Sequence, residues 1–71
     1  MISTTQQDVL QKLALIGQLS PGIRFGQLLA HLEFLAQGMF DRGLAEIEDD
    51  QLLRVLQRHE AELTQRQSNV A

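Results

Sequence analysis

The stretch Ser20-Pro-Gly-Ile-Arg-Phe-Gly-Gln-Leu-Leu-Ala-His-Leu-Glu-Phe-Leu-Ala-Gln-Gly38 decides how the rest of the chain is read. It carries a helix start, a helix stop and apolar residues on more than one side. At about 100° of rotation per residue, Phe25, Leu28, Leu29, Leu32, Leu35 and Ala36 share one broad face. Ile23, Ala30 and Phe34 fall nearly opposite, bordered by Gln27 and His31 and, more distantly, by Arg24. Glu33 and Gln37 fill the polar arc that remains. A helix that is apolar on two sides must be covered on two sides. Neighbouring helices of so short a chain cover one. For the second stripe two readings stand. Either the N-terminal helix and the connection from Met39 to Ile47 cover one face each, or Ile23, Gln27, Ala30, His31 and Phe34 contact a second molecule, with Phe34 as the anchor.

The ends of this helix have readable signals. Ser20 can cap it with Pro21 at the first helical position, or Gly22 can delay the restart to about Ile23. Gly38 reads as a left-handed C-cap, with Met39 closing against Phe34. Upstream, a first helix is expected from about Gln6 to Gln18, capped by Thr5 with Asp8 or by Thr4 with Gln7. Its stripe is Val9, Leu10, Leu13, Ile16 and Gly17. Gly17 either lets another helix approach or weakens the last turn. Downstream, Asp41-Arg42-Gly43 is turn-like, and Leu44 and Ile47 anchor the connection. A third helix is expected from about Asp49 to Gln65, capped by Glu48 or Asp49. With Glu48 as the cap, Gln51 completes a box and Ile47 and Leu52 form a staple. Its apolar side is Leu52, Leu53, Val55, Leu56 and Leu63, and Asp50, Arg54, Arg58, Glu62 and Arg66 make a solvated row of charges. The expected core is Leu10, Leu13, Ile16, Phe25, Leu28, Leu29, Leu32, Leu35, Leu52, Leu56 and Leu63.

Seventy-one residues make one domain, and a chain of that size buries only roughly 60% of its unfolded surface. Disulfides, metals or partner chains are the usual supplements. With no cysteine, disulfides and thiolate metal sites are excluded, which raises the weight of self-association. A hydrophobic fraction of 44% is too high for a disordered chain. The 9 acidic against 6 basic residues, net −3, do not attract phosphate backbones. The N-terminus lacks the pattern of a signal peptide and no apolar run approaches a membrane span. The expectation is therefore a cytoplasmic protein without membrane contact.

No residue set matches a catalytic or cofactor motif. His31 and His59 are the candidate imidazole bases or ligands, and they meet only if helices two and three pack at that level. The expectation is a surface or interface role for both, with no metal and no cofactor. Glu46, Glu48, Asp49 and Asp50 lack the alternate spacing of a calcium loop and read as capping and dipole charges. Arg24 and Gln27 near a helix start do not make a phosphate loop. Arg24 is instead expected to pair with an acid of the third helix start, in particular Glu48 or Asp49. A helix-turn-helix needs a tight turn and a basic recognition helix, and the third helix starts with acids.

Pro-Gly-Ile-Arg-Phe-Gly-Gln-Leu-Leu (21–29) followed by Ile-Glu-Asp-Asp-Gln-Leu-Leu (47–53) resembles a pattern in short, uncharacterised bacterial proteins. There an Arg-apolar-Gly-Gln-Leu helix start precedes a Glu-Asp-x-x-Leu helix start. The matching positions are Arg24, Gly26, Gln27, Glu48 and Asp49. The resemblance implies a bacterial or phage origin and carries no activity with it.

Taken together, these signals give an all-α fold: a small three-helix bundle with a central, largely apolar second helix. Residues 1–66 form the domain and 67–71 a disordered tail. The function expected is that of a non-enzymatic interaction module forming a homodimer, or docking another protein, through helix two. The alternative is a small DNA-binding or regulatory accessory protein.

Overall fold

The computed structural model describes residues 1–68 and consists of three helices, α1 (Thr4–Leu19), α2 (Phe25–Phe40) and α3 (Asp49–Ser68). The three-helix bundle is the one expected. α2 supplies three of its six fully buried apolar residues, Leu28, Leu32 and Ala36; the others are Ile16, Val55 and Leu56. The helix that packs broadly on both others is nevertheless α3, because α1 lies mainly along α3 and barely against α2. α1 and α3 run parallel: Val9 and Ile2 lie by Asp49, and Lys12 Nζ meets Glu60 Oε1 at 2.9 Å. Both members of that pair are about a quarter exposed, so it contributes about 0–1 kcal/mol. α2 runs antiparallel to α3, with Ile23 near Leu63 and Arg66 and His31 beside His59.

One device starts all three helices. A glutamine at the third helical position turns back and accepts the N–H of the capping residue. Gln6 does this for Ser3 at 3.1 Å, Gln27 for Arg24 at 3.1 Å and Gln51 for Glu48 at 2.9 Å. Each satisfies a backbone donor that the helix cannot. At α1 the box is reciprocal, since Ser3 Oγ accepts the Gln6 N–H. The Glu48–Gln51 pair is the expected one. At α1 the cap lies earlier than the threonine pairs suggested, because serine and Gln6 complete a box that Thr5 with Asp8 does not. At α2 the start falls at Arg24, later than either expected position. Pro21 and Gly22 are spent instead on a turn closed by the Ile23 N–H on the Ser20 carbonyl at 3.2 Å.

Two helix ends also differ. α2 continues through Gly38 to Phe40, and the left-handed cap is Asp41, φ 57° and ψ 34°, whose N–H donates to the Gln37 carbonyl at 2.9 Å. Short polar side chains tolerate that region, so the aspartate does what was assigned to glycine. α3 runs to Ser68, overlapping the expected tail from residue 67 by two residues; 69–71 lie outside the described residues.

Three expected core residues are exposed: Leu10, Phe25 and Leu29 at 53%, 57% and 46%. Phe25 lies on the side of α1, but α1 leans on α3 and leaves that seam open. Phe25 still comes near α1, its ring edge 4.0 Å from where a Cβ on Gly17 would stand; a methyl would fit at that distance, so the approach does not require glycine. Leu10 borders an apolar groove with Ile2, Gln6, Val9 and Asp49. Each of the five large buried side chains contributes about 1.5–3 kcal/mol before entropy is charged, which is a small core.

Candidate functional site

The water-facing arc of α2 is poor in charge. Between Phe25 and Phe40 the formal charge comes from one residue, Glu33. Its carboxylate is tied at the edge of the outer arc: Oε2 accepts the Leu44 N–H at 2.7 Å and Oε1 accepts from the exposed Gln37 Nε2 at 3.2 Å. The outer arc is left with Gly26, Gln27, Ala30, Phe34, Gln37 and Gly38, all exposed. Phe34 is 72% exposed, and Ala30 and Gly38 lie one turn before and after it. A Cβ built on Gly26 or Gly38 would meet nothing within 4 Å. Phe34 is thus a ring flanked by two positions with little or no side chain. Ile23 is at the edge of exposure, 36%.

The five residues assigned from sequence to a partner contact separate here. Ile23, Gln27, Ala30 and Phe34 face out, with Gln27 also engaged through its amide oxygen in capping α2. His31 turns inward between this arc and α3. Its ring stacks with Phe34 at 6.3 Å between centroids on one side and meets His59 at 4.6 Å on the other.

The expected ion pair of Arg24 with Glu48 or Asp49 does not form among the described residues. Antiparallel packing is the reason. It sets the start of α2 beside the end of α3, and a helix of this length separates the two starts by roughly 24 Å. The acids at the start of α3 face the start of α1 instead, where Asp49 borders the groove of Ile2 and Val9. One basic residue of α3 is occupied within the helix: Arg58 Nε donates to Glu62 Oε1 at 3.2 Å.

A second cluster lies where α2 and α3 meet. His59 is 4% exposed, and its Nδ1 lies 4.0 Å from Glu62 Oε2. His31 Nε2 and His59 Nδ1 are both buried and hydrogen-bonded to no described protein group. His59 is held below the ordinary histidine pKa. Burial is the largest cause and the nearby His31 adds to it; Glu62 opposes the shift and Arg66 reinforces it. Ser20, Ile23, Leu63 and Arg66 line the adjoining cavity of about 360 Å³. The sequence placed Glu62 in the solvated charge row. Its spacing of three from His59, which puts both on one helix face, is the signal that could have found it.

Comparison with protein-family models, curated proteins and solved structures gives no match. No described helix is long and apolar enough to cross a membrane.

Proposed function

We propose that the protein is a non-enzymatic interaction module of the cytoplasm that forms a homodimer through the outer arc of α2. The observation that carries this reading is a 72% exposed phenylalanine on a helical face whose single bordering charge, Glu33, is tied to Leu44 and Gln37. An exposed helix ordinarily keeps its charges on its water side, and the cost of exposing Phe34 calls for a cover.

A second copy suits this face better than an unlike partner. In a two-fold contact the same patch meets itself, so a patch of one charge sign repels its copy, and this one has none. The ring of Phe34 needs room, and the small residues Ala30 and Gly38 leave it on the same face. Gln27 and Gln37 offer amides, which both donate and accept. The DNA-binding alternative finds no comparable support, since α3 opens with Asp49 and Asp50 and Arg58 is paired with Glu62.

Analytical ultracentrifugation of the full chain over a wide concentration range tests the proposal. A dimer is expected, and Phe34→Glu should give a single-chain mass with helicity by circular dichroism unchanged. A wild-type chain that stays monomeric throughout removes the proposal. A dimer that survives Phe34→Glu removes this face from it.

A further inference from the structure

We propose that His31, His59 and Glu62 bind a divalent d-block cation, zinc or cobalt in particular, through His31 Nε2, His59 Nδ1 and a Glu62 carboxylate oxygen. The ordinary account of a buried histidine is a ring whose nitrogens are satisfied by neighbours. That account fails at both rings, because each has a buried nitrogen with no described protein partner. One ligand atom from each of the three side chains lies within 4.8 Å of the others. Their convergence needs no loop: His59 and Glu62 share a face of α3, and α2 brings His31 against it.

The donor chemistry selects the class of ion. Two imidazole nitrogens and one carboxylate oxygen favour zinc and its first-row neighbours over magnesium or calcium, which take oxygen sets. Three protein ligands leave a tetrahedral ion one further position, on the side where the cavity of Ser20, Ile23 and Leu63 adjoins. Metal–ligand bonds of about 2.0–2.2 Å set tetrahedral donors roughly 3.3 Å apart. Donors up to 4.8 Å apart must therefore draw in by up to about 1.5 Å, which rotation of the partly exposed Glu62 and His31 can supply. Glu62 contributes the compensating negative charge. Arg66, at the cavity rim, works against the cation.

The test is a Co²⁺ titration of the full chain after chelator treatment, read by the visible d–d absorption of four-coordinate cobalt, with Zn²⁺ as competitor. One Co²⁺ per chain is expected, displaced by Zn²⁺, with the melting temperature raised by either ion. His31→Gln, at a half-buried position, should abolish the spectrum while helicity is kept. Glu62→Gln should weaken binding by more than the ~100-fold upper range of outer-shell changes. Gly38→Arg, on the outer arc with open space about it, should keep the cobalt spectrum while opposing the proposed dimer, so the site stands or falls apart from self-association. The proposal is overturned if no four-coordinate spectrum forms. Binding that His31→Gln leaves intact would remove His31 from the ligand set and overturn it equally. Half a cobalt per chain would place it between copies and refute the site within one chain.

Discussion

The Glu33 carboxylate accepts the Leu44 N–H at 2.7 Å and fills the space beside the buried Gly43, where an added Cβ would stand 2.5 Å from Glu33 Oε1. One side chain thus ties the connection 41–48 to α2 and holds the single charge that borders the outer arc. The tie predicts a coupled pair of substitutions. Glu33→Ala removes the acceptor and strands a part-buried donor, at a cost of about 1–3 kcal/mol. Gly43→Ala forces the carboxylate to swing out and loses the same bond, so it should cost a similar amount. The double variant should cost little more than either single one, since the second change has nothing left to break. Urea denaturation of the four proteins checks this. Additive losses would mean that Gly43 is required for its own backbone and that the two residues act independently.

Gly38 yields a prediction of opposite sign. It lies within α2 with open space where its Cβ would be, so Gly38→Ala removes an entropic burden without a clash. The monomer should gain about 0.5–1 kcal/mol, read as a higher urea midpoint at unchanged slope and low protein concentration. The added methyl also takes up open space one turn from Phe34. Under the proposed dimer, the variant should therefore be more stable and self-associate less. A loss of monomer stability would show that the chain needs glycine there.

The number and kind of helices were legible because leucine spacing and the Ser20–Gly22 break are local signals. The Glu48–Gln51 box was legible for the same reason. Local signals failed where two residues competed for one job: Asp41 ended α2 although Gly38 carries the usual mark. They failed again wherever the answer depended on which helix leans on which. Phe25 and Leu29 share a face with Leu28 and Leu32, yet only the latter pair is buried. The difference is set by α1 lying on α3, which helical periodicity does not encode. The Arg24 pairing failed for lack of helix direction, and the tie of Glu33 to Leu44 depended on a loop whose path no pattern announces. His31 and His59 were visible as residues; their meeting, and the part of Glu62, required the packing.

His59 makes the stability of the metal-free chain depend on pH, and the sign follows from its depressed pKa. It sits on α3 facing His31 from α2, with Glu62 and Arg66 on its own helix. In the unfolded chain its imidazole titrates near 6.5; in the fold, burial and the His31 and Arg66 charges hold it lower, against Glu62. As pH falls through 6.5 the unfolded chain takes up a proton that the folded chain refuses, so the unfolded state gains. The contribution is complete above the unfolded value, declines below it and stops declining once pH passes the folded value. Urea midpoints measured in chelator should therefore be level above about pH 7.5 and drop toward pH 5.5, above the range where carboxylates near pKa 4 take over. His31→Gln removes the second cause of the depression and should make the drop shallower. A midpoint that is flat across this range would mean that His59 is protonated as readily in the fold as outside it, and that its burial carries no penalty for charge.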